Sequence, residues 1–263
     1  GLPAYAAKQM ADWIYKKKIT RISEITNIAV AKRALLEDSF EIGAYPPSEY
    51  QKSKDGTIKY LYAAGPGRFV ESVYIPTDDR ATLCVSSQVG CKMNCLFCMT
   101  GKQGFTANLT ANQILNQIQS LPENDSLTNI VFMGMGEPLL NYEQVLRAIE
   151  RITAQDGLAM SPYRITVSTA GIPEKIRQLA DDGVRFNLAL SLHAAKETTR
   201  TFLMPVNKAY PLSEIAGSLK YFVEKTGTRP TFEYLLLKDI NDSLEDAKAL
   251  ALYCRQFPIK INI

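Results

Sequence analysis

The sequence predicts an α/β fold: repeated βα units forming a parallel sheet or barrel, preceded by a helical segment and a small β extension. In the second half of the chain, short apolar runs alternate with longer amphipathic ones. At 263 residues and 46% hydrophobic, the chain can bury one barrel-sized core.

Residues 1–45 read as a helical accessory domain. Ala4, Ala7, Met10, Ala11 and Ile14 recur at i, i+3, i+4 spacing, and Ser23 offers an N-cap for the next amphipathic run. Residues 46–80 read as linker and β extension. "GAYPPSEYQKSKDG" breaks the helical pattern, and "TIKYLYAA" and "RFVESVYIP" are strand-like. The third region, 81–263, opens with the strand "ATLCVSS". "NIVFMGMGEP" precedes helical "NYEQVLRAIERITAQ", and "YRITVSTAG" precedes "IPEKIRQLADDG". "RFNLALSLHAA" is followed by a less regular stretch and then "PLSEIAGSLKYFVEKTG"; "TFEYLLLKDIN" precedes "SLEDAKALALYCRQF". "IKINI" starts one more strand, and a chain stopping inside a strand reads as a fragment or as lacking its native C-terminus.

The formal charge of +3 tolerates a nucleic-acid partner without demanding one. No run is long and apolar enough to cross a membrane, and the N-terminus shows no secretory h-region, so a cytoplasmic protein is expected. In such a reducing compartment five cysteines point to metal binding or thiol chemistry, not to disulfides.

Cys91, Cys95 and Cys98 stand in C-x3-C-x2-C spacing directly after "ATLCVSS". Three cysteines this close share one loop, at the strand end where parallel α/β folds place their chemistry. Thiolates select zinc, copper(I) or iron–sulfur clusters. Structural zinc takes four ligands, commonly as two pairs, and the second pair is missing. A 4Fe-4S cluster held by three thiolates keeps one iron open. The competing arrangement is a Cys3His zinc site with His193, the lone histidine, in an RNA-binding module without catalysis.

The triplet, with Phe97 before its last cysteine, resembles the signature of the radical S-adenosylmethionine superfamily. "ATLCVSSQVGC", "GKQGFTANLTANQI", "FMGMGEPLLNY", "VSTAGI" and "LSLHA" together resemble the bacterial adenosine-C2 RNA methyltransferases, which act on 23S rRNA and tRNA. The resemblance implies a partial (β/α)6-type radical SAM barrel with Cys91, Cys95 and Cys98 on the 4Fe-4S cluster. It implies S-adenosyl-L-methionine on the open iron, cleaved to a 5′-deoxyadenosyl radical by one electron.

Other residues follow from the same likeness. Gly136 and Glu137 of "GMGEP", with Gly134, resemble the glycine-rich cofactor strand end; Glu137 would accept from the cofactor's ammonium group. Ser168, Ser191, Leu192 and His193 correspond to cofactor-contacting positions. Alternation places Glu71 on a face with Phe69, Val73 and Ile75, where apolar neighbours would raise its pKa; the resemblance assigns it as a proton acceptor. Cys84, by itself a small core residue, corresponds to a cysteine acting beside the substrate adenine. Cys254 matches no such position and reads as core.

The family's methyl-carrying cysteine and a further cofactor-contacting asparagine lie in a segment beyond the last strand, so neither is assigned. As written, the chain is expected to bind cluster and cofactor without completing methyl transfer. RNA contact is expected from "WIYKKK" and Lys32–Arg33. A flavodoxin or ferredoxin-like electron donor and a monomeric state are also expected. The antibiotic-resistance branch that methylates C8 of the same rRNA adenosine shares these motifs, although "GKQGFTANLTA" looks more like the C2 branch.

Overall fold

The structure, a computed structural model, describes residue 3 and residues 5–263; Ala4 of the predicted helical spacing lies outside the described residues. Helix α1 (Tyr5–Ala11) runs into a π-helical turn at Asp12–Lys16. Ser23 is not an N-cap: it sits in a 3-10 turn, Ile22–Glu24, where Glu24 accepts from the main chain of Thr20 and Arg21. The following helix, α2 (Val30–Glu37), starts well after that cap would allow, behind Ala29. Ile19, Ile22, Ile25 and Ile28 give this segment its own small core, with Trp13 and Leu36 against it. Asn116 binds both the amide and the carbonyl of Tyr45 (2.7 and 3.0 Å), tying the segment to the rest of the chain.

Strands β1 (Glu49–Lys52), β2 (Ile58–Ala63) and β3 (Phe69–Pro76) are antiparallel to one another, and β3 is antiparallel to β4 (Ala81–Cys84). β1 falls where the sequence predicts linker. It is an edge strand, exposed at every position, so it carries no burial alternation to read. After β4 come β5 (Gln88–Gly90), α3 (Met99–Lys102), β6 (Phe105–Asn108) and α4 (Ala111–Gln119). Then βα units follow: β7 (Asn129–Phe132) and α5 (Tyr142–Thr153); β8 (Ile165–Thr169) and α6 (Pro173–Asp181). Next are β9 (Asn187–Ser191), α7 (Glu197–Leu203) and α8 (Leu212–Thr226), then β10 (Thr231–Glu233), α9 (Leu244–Cys254) and β11 (Lys260–Asn262).

The main sheet has the order β1-β2-β3-β4-β7-β8-β9-β10-β11, parallel from β4 onward. The β extension therefore continues the barrel's own sheet. Leu83, Ile130, Val167, Leu188, Leu190 and Phe232 face the helices and form the main core. The opposite face is more polar, and the paired register puts Cys84, Val131 and Thr166 there, with Asn187 and Thr231. No described helix is long and apolar enough to cross a membrane.

The hairpin β5/β6 clasps the cysteine loop. Gly90 has φ +74°, and a Cβ there would lie 1.7 Å from the Gly104 carbonyl oxygen. Gly104 has a similar φ, +72°, but faces open space. Gly90→Ala is expected to destabilise the chain by about 3 kcal/mol or more, and Gly104→Ala by about 1 kcal/mol. Thermal melting of the two variants checks the difference; equal losses would show that the clasp is not tight.

Candidate active site

The strand β4 delivers the chain to the loop that carries the cysteines. Cys91 N donates to Gly104 O (3.1 Å), Cys98 N to Cys95 O (3.0 Å), and Leu96 N to Leu203 O at the end of α7 (2.9 Å). All five cysteines are free thiols, with Cys91 and Cys95 buried and Cys98 partly buried. Burial pushes the Cys95 thiol up to about 12, helped by the neighbouring thiols, and raises Cys91 too. Ligation therefore displaces protons.

Among the described residues, no three His, Cys, Asp or Glu side chains converge as a single metal ion requires. A tetrahedral zinc would bring its sulfurs within about 4 Å of one another. An iron–sulfur cluster offers each thiolate a different iron. The donor set is three free thiols on one loop beside a cavity, which fits the cluster.

A cavity of about 350 Å³ at the C-terminal ends of the strands is lined by Cys91, Cys95 and Cys98 together with Gly136, Glu137, Ser168, Ser191 and His193. Residues widely separated in sequence thus share one site. Gly136 (φ +100°) lets the turn after β7 close on Gln88, whose Cβ would lie 2.5 Å from an added methyl. Its close approach is to protein. Glu137 is buried, and its oxygens accept from Leu139 N (3.1 Å) and Ala170 N (2.7 Å), stitching the loops after β7 and β8. Burial raises its carboxyl pKa, opposed by those bonds. Ser168 and Ser191 share a hydrogen bond of 3.2 Å.

His193 sits at φ +55°, a strained left-handed conformation held by bonds at both ends. Its carbonyl accepts from Asn241 Nδ2 (2.6 Å), and its Nδ1 accepts from Leu235 N (3.0 Å). Burial first, and then the Arg200 charge, lower its pKa to about 4. At neutral pH the ring is neutral with its proton on Nε2, edge-on to Phe97 at 4.8 Å.

Three predicted residues stand apart from this cavity. Leu192 is fully buried in the main core, so its side chain cannot line the site. Glu71 lies on the predicted face, but that face is the more exposed one: Val70, Ser72 and Tyr74 are the buried set. Its carboxylate pairs with Lys59 at 2.9 Å, both half-exposed, so the expected apolar surroundings are absent. Cys84 shares Glu71's face, since it is paired with Val73. Burial pushes its thiol up to about 11.

A model of the radical SAM superfamily matches residues 85–251. The chain belongs to the radical SAM superfamily. It is 69% identical to a probable dual-specificity RNA methyltransferase RlmN of Parabacteroides distasonis, over all of this chain and 76% of that protein. A protein of the same name from Bacteroides thetaiotaomicron is 52% identical over the same shares. A radical SAM methyltransferase crystal structure from Sphaerobacter thermophilus superposes with a TM-score of 0.94 at 37% identity, covering 100% of this chain and 79% of that one. Within the superfamily the chain belongs to the family of these RNA methyltransferases. As a radical SAM protein it uses a 4Fe-4S cluster and S-adenosylmethionine.

The sequence reading missed two groups at or beneath this cavity. Glu233 of β10 lines the cavity. Arg200 of α7 is wholly buried beneath it, donating to Leu192 O (3.2 Å), Ala170 O (2.6 Å), Ser191 O (3.3 Å) and Asn207 Oδ1 (2.7 Å). Asn207 in turn donates to Glu197 Oε2 (2.6 Å). Strand alternation signals Glu233 weakly, and nothing in the irregular stretch 196–208 signals a buried arginine. Arg200→Met should cost about 3 kcal/mol, because buried carbonyls lose their donor. Scanning calorimetry should show a fall of about 10 °C in Tm; an unchanged Tm would refute the fourfold tie.

Proposed function

We propose that this chain is the catalytic body of a radical S-adenosylmethionine RNA methyltransferase that methylates C2 of adenosine in 23S rRNA and tRNA. The observation that carries it is the shared cavity of three free thiols with Glu137, Ser168, Ser191 and His193 at the parallel strand ends. The names of the relatives support the RNA substrate class.

Cys91, Cys95 and Cys98 would hold the cluster. When bound, the cluster supplies one electron to the sulfonium of S-adenosylmethionine. Gly136, Glu137, Ser168, Ser191 and His193 orient that cofactor, His193 as a neutral donor through Nε2–H; Leu192 can take part only through its main chain. Cys84 and Glu71 serve the substrate adenine from one face, as diagonal cross-strand neighbours. With its thiol at about 11, Cys84 keeps its proton at neutral pH, so it can take a proton from the adenine only after giving its own to an acceptor, and Glu71 is the carboxylate on its face.

Residues 1–45 are the RNA-contacting accessory domain, 46–80 the β extension and 81–263 the barrel. The lysines of "WIYKKK" are engaged: Lys16 with Asp12 (2.6 Å), Lys17 over the Trp13 ring (3.4 Å), Lys18 with Asn124 and Asp125. Exposed pairs of this kind are worth about 0–1 kcal/mol, so phosphate can replace them. A flavodoxin or ferredoxin-like donor, a cytoplasmic setting and a monomeric state complete the reading.

Anaerobic purification is expected to yield a brown protein with iron and sulfide; a colourless protein with stoichiometric zinc would overturn the enzyme reading. Cys95→Ala should lose that iron. Mass spectrometry of the modified nucleoside decides C2 against C8. In a chain with the relatives' full length, Cys84→Ala should keep its iron yet fail to release product. RNA would then stay attached to protein on a denaturing gel; normal turnover would remove Cys84 from the chemistry.

A further inference from the structure

One acidic side chain in the cavity has no part in the chemistry assigned so far. Glu233 ends β10 and is paired in register with Ser191 at the end of β9, so both face the cavity from adjacent strands. Strand spacing puts them about 5 Å apart at Cα. Each is bonded away from the other: Ser191 Oγ to Ser168 Oγ at 3.2 Å, and Glu233 Oε1 accepting from Asn262 Nδ2 at 3.0 Å. No hydrogen bond joins the two among the described residues. The Glu233 main-chain oxygen accepts from Leu192 N (3.0 Å) and His193 N (3.2 Å), so its backbone is fixed to the turn that carries His193.

A carboxylate acceptor beside a serine hydroxyl, both opening on one cavity, matches a vicinal diol. We propose that Glu233 is a further binding residue of this cavity, its carboxylate accepting hydrogen bonds from ribose hydroxyls of an adenosine-containing ligand. This rests on the cavity being the cofactor site. Burial raises the Glu233 carboxyl pKa, against the Asn262 bond, and two hydroxyl donors favour the charged form.

Calorimetric titration of the purified protein with 5′-methylthioadenosine and its 2′,3′-dideoxy counterpart tests the assignment. The wild-type chain should bind the parent about tenfold or more tightly than the dideoxy ligand, and Glu233→Gln should erase most of that preference by weakening the parent alone. Glu233→Gln keeps an oxygen for Asn262, and its melting curve should match the wild type. Asn262→Ala should retain the preference. The assignment is overturned by unchanged binding in Glu233→Gln, by an equal loss for both ligands, or by Asn262→Ala abolishing the preference. A wild-type chain that binds neither ligand sinks the cofactor reading of the cavity, whereas binding that ignores Glu233 sinks this assignment alone.

Discussion

A single buried guanidinium holds the site together. Ser191 ends β9, and Ala170 and Leu192 lie one residue past the ends of β8 and β9. Arg200 donates to the carbonyls of all three and to Asn207. A planar fork of fixed donors can do this where a lysine's compact charge cannot. Among the described residues, no carboxylate is hydrogen-bonded to it. Burial lowers its pKa to about 10, so it stays charged at neutral pH, and Glu197 reaches it only through Asn207. The same charge discourages protonation of His193, so the element that shapes the cavity also helps keep its imidazole neutral.

The sheet separates stability from chemistry by face. Leu83, Val167 and Leu190 lie against helices and are wholly buried. Their neighbours one residue along, such as Cys84, Ser168 and Ser191, face the other way. Because the strand period is two, each strand side chain on that face is bracketed by residues of the core face. Where the chain leaves the sheet, polar ties fix the backbone instead. Glu137 joins the loops after β7 and β8, and Asn241 holds the strained His193.

Much of this was legible in the sequence, and the gaps have physical causes. The βα rhythm from β7 to α9 shows because buried strands and amphipathic helices differ in period. β1 and β5 were hidden, one because an exposed edge strand carries no alternation, the other because three residues are too few to show any. Helix α4 did carry a signal, the capping box of Thr110 and Gln113. For Glu71 the alternation was right and its phase was not. A run in which both faces hold apolar residues does not say which one meets the helices, and Tyr74 with Val70 won that side through Leu83 and its neighbours.

The cysteine triplet shows the limit most sharply. Its spacing brings three thiols onto one loop, but spacing does not aim them. Their placement depends on Leu203 O taking the amide of Leu96, on Met204 and Ala194 packing against Cys95, and on Gly90 admitting the Gly104 carbonyl. Leu203 and Met204 lie in the α7 segment whose irregular pattern offered nothing to read. The motif thus names the ligands, while a helix far downstream in the chain, anchored by Arg200, decides where they stand. A loop of identical spacing on a sheet without that helix would keep its thiols and lose the geometry that makes them a site.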